Sequence, residues 1–157
     1  MSTGLSVVVL DAADGAGRRR VVTLPGEEYG YAIARWFDEA DRISAALGTT
    51  PLSTFVYEDV ELYEAALEMA DAAGDGDFGA RMRAKLEAAR RQPEWHDPAD
   101  GLDAVRGVLE EVRGGGSRVD EAAARTTADA VLRDLETVAG LLADAAAHGR
   151  RFRFEAL

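Results

Sequence analysis

Cysteine does not occur among the 157 residues, which excludes disulfides, thiolate nucleophiles and thiolate zinc sites. Asparagine is missing as well, Gln92 is the single glutamine, and Lys85 is the only basic residue that is not arginine. This excess of arginine over lysine, in a chain rich in alanine, reads as the codon bias of a GC-rich coding sequence before it reads as anion chemistry. Two histidines are poor material for a metal centre. No apolar run is long enough to span a bilayer, and Met1 to Ser6 lacks a basic leader, so neither a membrane span nor a signal peptide is expected and the cytoplasm is the default location. There is no glycine-rich phosphate loop, dinucleotide fingerprint, paired-histidine helix motif or nucleophile elbow. A calcium loop over 71–82 fails at Ala73 and Met82, where that chemistry needs oxygen ligands. No cofactor and no resident metal are expected.

What is present is the composition of one globular domain, 47% hydrophobic and 30% charged, long enough to bury a core without a staple. Residues 1–157 are therefore expected to form a single domain. Leu5 to Leu10 and Arg18 to Leu24, separated by Asp11, Asp14, Gly15 and Gly17, read as a β-hairpin. Pro25 and Gly26 end it. Ile33, Trp36, Phe37, Ala40, Ile43 and Leu47 recur at helical spacing up to Gly48, which predicts one amphipathic helix. Thr50 and Pro51 resemble a cap and first turn for a short helix over Leu52 to Tyr57.

Leu62, Tyr63, Ala66, Leu67 and Ala70 predict a further helical face, closed near Gly74. Asp77 is placed to cap a helix carrying Phe78, Met82, Leu86 and Ala89, stopped by Pro93. Asp97 and Pro98 begin another, which buries Leu102, Val105, Leu109 and Val112 and stops at Gly114 to Ser117. From Val119 to His148 the pattern predicts one helix of about 45 Å, either the spine of the fold or the seam of a homodimer. Arg151 to Ala156 alternates like a strand and is expected to join the hairpin. The expected class is thus α+β and predominantly helical, an N-terminal β-hairpin and a C-terminal strand forming a small antiparallel sheet on about five helices.

Two clusters have the residue types for function. Trp95 to Asp100 sets an imidazole, His96, beside the carboxylates Asp97 and Asp100, a combination that can hold a metal or move a proton. Helix capping by Asp97, with Asp100 in the first turn, accounts for the same residues without chemistry. His148 falls in the last turn of the final helix, where a cation suits the dipole. The second cluster follows from charge. The whole chain has a net charge of −11, and residues 26–75 hold twelve acidic side chains against Arg35 and Arg42. Within that segment Tyr57, Glu58, Asp59, Glu61, Tyr63 and Glu64 interleave carboxylates with aromatics, a mix suited to a basic protein partner. Solvation and helix capping are the plainer use of the same acids. Arg18, Arg19 and Arg20 could share a basic edge with Arg150, Arg151 and Arg153, but the net charge argues against nucleic acid as a partner.

The segment WHDPADGLDAVR, Trp95 through Arg106, together with the long last helix and the closing RFRFEA strand, resembles a group of small bacterial proteins with no assigned activity. The resemblance covers the C-terminal half, implies a stand-alone domain with this helix-then-strand ending, and transfers no site residue. Two functions follow as expectations. The first is a non-enzymatic binding or regulatory protein, of the immunity or antitoxin kind, that presents the acidic segment 26–75. The alternative is a small metal-assisted hydrolase centred on His96, Asp97 and Asp100.

Overall fold

A computed structural model describes residues 4–11, 18–23 and 30–156. The expected turns at 12–17 and 24–26, and the acids Glu27 and Glu28, lie outside them. The chain divides into two compact units, one made of residues up to 56 and from 95 onward, the other of residues 57–94. The architecture is α+β and predominantly helical, as the sequence predicts.

The larger unit contains the sheet. Strand β1 (Leu5–Asp11) lies in the middle, with β2 (Arg18–Thr23) and β3 (Arg151–Ala156) antiparallel on either side. In register, Val7 stands opposite Phe154 and Val9 opposite Phe152. These residues and Leu5 form the sheet's contribution to the core. The outer edge of β3 is not left open. His96 pairs with Phe152 through two backbone hydrogen bonds of 2.9 and 3.0 Å, and Val56 bridges Phe154. Covering an edge in this way removes a template for strand addition. Because β2 and β3 flank β1 from opposite sides, Arg18 to Arg20 and Arg151 to Arg153 belong to different strands at opposite edges, and the single basic edge imagined from sequence does not form.

Two long helices pack on this sheet's core. Helix α5 (Pro98–Arg113) begins at Asp97, whose carboxylate accepts the Ala99 amide at 2.9 Å. Its partner α7 (Ala128–Ala147) buries Val131, Leu135, Val138, Leu142 and Ala145. Gly101 lets α5 approach β3. A Cβ there would collide with the Phe152 ring and come within 3.2 Å of Leu142 Cδ1.

Two predicted helices are broken, each for a physical reason. The expected helix from Ile33 to Leu47 is split into α1 (Tyr31–Arg35) and α2 (Phe37–Leu47). At Trp36 the amide bonds back to Ile33, a tighter 3-10 closure, and Ile33, Trp36, Ala40 and Ile43 are all buried across the break. The start of α1 has no cap of its own. Asp134, 2% exposed on α7, supplies one from a distance by accepting the Ile33 amide at 3.2 Å. The final helix of about 45 Å is likewise two pieces, α6 (Glu121–Ala124) and α7. Arg125 between them adopts the left-handed region with φ 52°, its carbonyl accepting from Arg35 Nη1 at 2.8 Å. Thr127 then caps α7 by accepting from the Ala130 amide. With its apolar stripe filled from within the chain, α7 is a spine and not an open seam.

Smaller differences follow the same logic. Leu52–Phe55 is a turn of 3-10 helix, preceded by Pro51 without a side-chain cap, so Thr50 is not its cap. Instead, the Ser53 amide donates to Asp41. On β3 the alternation holds in direction, yet Arg153 is only 2% exposed. Its guanidinium stacks 4.3 Å from the Trp95 ring centroid and donates to Glu155, which satisfies a charge that burial alone would penalise.

The smaller unit is a helical hairpin of α3 (Val60–Ala73) and α4 (Gly76–Arg91). Gly74 at φ 71° closes α3, and Asp75, not Asp77, caps α4 by accepting the Phe78 amide at 3.0 Å. The two helices bury Ala70, Gly79, Leu86 and Ala89, and Glu64 pairs with Arg90 at 2.5 Å.

Candidate functional site

The acidic and aromatic cluster occupies the start of α3, and most of its members have a local task. Asp59 is the N-cap, its carboxylate accepting the amides of Glu61 and Leu62 at 3.0 and 3.3 Å. Glu58 accepts a short hydrogen bond from the Tyr63 hydroxyl. That bond, with some burial and the Glu58 charge, raises the Tyr63 phenol to about 12 from its ordinary 10.0. Glu64 is held by Arg90. Glu61 is exposed in the first turn, favourably placed for the helix dipole. Tyr57 is half-buried just before the helix.

Sequence periodicity assigns Leu62 to a buried face, and here the structure differs. Leu62 is 67% exposed and Met69, one heptad further on, is 73% exposed. The buried side of α3 is instead that of Tyr63, Ala66, Leu67 and Ala70, rotated around the helix by a quarter turn or so. Two apolar stripes therefore share one helix, and α4 packs over one of them. The outward stripe has its own repeat. Glu61, Leu62 and Ala65 recur as Glu68, Met69 and Ala72, all six exposed, so that an apolar line runs beside a line of carboxylates. That seven-residue spacing was available in the sequence as the signal for this surface.

The second cluster is taken up by structure. His96 lies half-buried with its ring edge-on to Phe55, centroids 5.1 Å apart, and tilted against Phe152 at 6.1 Å. Its pKa falls below 6.5 because burial disfavours the imidazolium, while the Asp100 charge opposes the shift. Asp97 caps α5 and Asp100 is exposed in its first turn. Among the described residues no three histidine, aspartate or glutamate side chains come together as a metal-holding group. His148 closes α7, its Nδ1 2.8 Å from the Asp144 carbonyl. Among the same residues no helix is long and apolar enough to cross a membrane.

No protein-family model, curated protein or solved structure matches the chain.

Proposed function

We propose that this protein is a non-enzymatic binding or regulatory protein that recognises a basic, amphipathic helix of a partner protein through the outward face of α3. The observation that carries this reading is the exposed repeat of Glu61, Leu62 and Ala65 with Glu68, Met69 and Ala72. A heptad repeat is the spacing at which two helices pack side by side. Burying Leu62 and Met69 would contribute roughly 1.5–3 kcal/mol each, and the small alanines between them allow a close approach. Glu61 and Glu68 make no ion pair among the described residues, so their charge is available to lysine or arginine on the partner. A second copy of the chain is a poor occupant, because it would bring the same carboxylates against one another. The net charge of −11 adds long-range attraction for a basic protein, the kind of encounter by which an immunity protein or an antitoxin neutralises its target in the cytoplasm.

The test is capture from the native lysate at low salt, followed by titration of the purified partner against three forms of the protein. The double variant Leu62→Ser/Met69→Ser is expected to weaken binding by at least about tenfold, since each buried side chain is worth more than the 1.4 kcal/mol that a decade represents. Glu61→Gln/Glu68→Gln is expected to slow association and flatten its salt dependence. Glu58, Asp59 and Glu64 are left intact in both, because they serve the hairpin itself. Recovery of no basic partner, or affinity unchanged in both variants, would overturn the reading.

A further inference from the structure

Sulfur enters this chain only as methionine, since cysteine is absent and Met1, Met69 and Met82 are the three thioethers. Met1 lies outside the described residues. Met82, on α4, is half-buried, whereas Met69 is 73% exposed on the outward stripe of α3. Oxidation of a thioether follows its access to solvent, so Met69 is the sulfur of the described residues that an oxidant reaches first. No thiol is present to compete for that oxidant.

Met69 also stands where a change of polarity matters. It and Leu62 are the two large apolar side chains of the stripe, beside the small Ala65 and Ala72 and the charged Glu61 and Glu68. A flexible, polarisable thioether suits a surface that must fit against a partner helix. One oxygen atom converts it into a polar sulfoxide, and burying that group without a hydrogen-bond donor opposes docking. Because Met69 is outside the core, the fold of the free protein does not depend on its oxidation state. Sensitivity to oxidation is thus confined to the docked state.

We infer that Met69 is a reversible oxidation site through which hydrogen peroxide releases a partner helix from α3, an inference that rests on the docking reading of that helix. The thioether sulfur attacks one peroxide oxygen, so that an S–O bond forms and the O–O bond breaks. The departing hydroxide takes the proton of the transferred hydroxyl and leaves as water. Sulfur is oxidised by two electrons and the peroxide is reduced by two. Hydrogen peroxide is uncharged, so the carboxylates of Glu61 and Glu68 do not repel it. The return step is that of the methionine sulfoxide reductases, in which a dithiol becomes a disulfide and the oxygen leaves as water.

The full chain is to be treated with hydrogen peroxide and its sulfoxides located by peptide mass spectrometry. Met69 is expected to oxidise ahead of Met82, the thermal midpoint to stay where it was, and the reductases with a dithiol to reverse the change. Docking is followed by fluorescence anisotropy with a labelled synthetic helix that has leucine at heptad spacing and lysine beside it. The oxidised protein is expected to bind this helix about tenfold or more weakly than the untreated one, the equivalent of 1.4 kcal/mol, and to recover after reduction. Met69→Leu is expected to bind before and after peroxide alike. Oxidation of Met82 first, undiminished affinity of the oxidised protein, or an equal loss in peroxide-treated Met69→Leu would overturn the inference. Leu62→Ser/Met69→Ser separates the two readings. If it loses affinity while the oxidised protein keeps it, control by oxidation alone fails, whereas if it binds the helix as wild type does, the docking reading falls and this inference with it.

Discussion

Helices α7 and α3 are both alanine-rich, both acidic in the first turn and both striped with leucine or methionine, yet they end in opposite situations. In α7 the stripe from Val131 to Ala145 is buried under its neighbours. In α3 only Ala70 is buried, and two large apolar side chains, Leu62 and Met69, face solvent. Periodicity therefore identifies a helix without saying which of its apolar faces will be covered. What decides is the number of neighbours: α7 packs with α5, α1 and the sheet, whereas α3 packs with α4. A helix of this length has little stability alone, so the two units are expected to differ in how much any one side chain matters.

The contrast is sharpest at Phe152, fully buried among Phe55, Phe154 and Gly101. Phe152→Ala is expected to lower the stability of the larger unit by about 3–5 kcal/mol in denaturant titration. A loss below 1 kcal/mol would mean that the aromatic cluster is not its core. Next in size is Asp134→Ala, which leaves the buried Ile33 amide without its acceptor and is expected to cost about 1–3 kcal/mol. Asp134→Asn keeps an acceptor oxygen and should recover part of the loss.

Asp97→Ala removes the cap of α5 and is expected to cost about 1 kcal/mol, with Asp97→Ser and Asp97→Asn nearly neutral because those side chains also accept from the free amides. Equal damage from all three, reproduced by a chelator on the wild type, would point to metal ligation instead. In the smaller unit, Leu62→Ala and Met69→Ala should each stay within about 0.5 kcal/mol of wild type, as exposed positions do. A larger loss would show that the outward stripe is covered in the free protein.

The smallest effect is a titration. The folded phenol of Tyr63 ionises at about 12, above its ordinary 10.0, so its protonated form is favoured by folding. That contribution is present below pH 10 and is lost as the pH rises from 10 toward 12. Tyrosinate absorbance should reveal the late ionisation of Tyr63, and Glu58→Gln should return its midpoint toward 10.

Much of this fold was legible because local signals and tertiary packing agree. Asp97–Pro98, Gly48, Gly74 and the RFRFEA alternation mark boundaries that hold. The failures occur where a distant group does the local work. Nothing between Ile33 and Leu47 announces a break at Trp36, since the cap of α1 arrives from Asp134 on another helix. The interruption before α7 carried a weak mark, Thr126–Thr127, which reads as a cap only once Arg125 is known to be left-handed. At the acidic segment the residue types were legible, but their division of labour was not. Asp59, Glu58 and Glu64 serve the hairpin, and the acids that remain available beside the apolar stripe include Glu68, which the aromatic interleaving did not single out.

The order of the three strands also bears on how the chain is made. Strand β1 is central, and its register with β3 joins Leu5 to Ala156. At a synthesis rate of roughly 5–20 residues per second, its partner emerges some 7–30 s later. Through that interval Val7 and Val9 have the hairpin partner alone, and the aromatic side chains that complete their layer have not been translated. The nascent chain thus holds a half-built sheet until the last strand emerges. It also means that a stop codon between α7 and β3 yields a polypeptide with every helix encoded and only the two-stranded hairpin of the sheet.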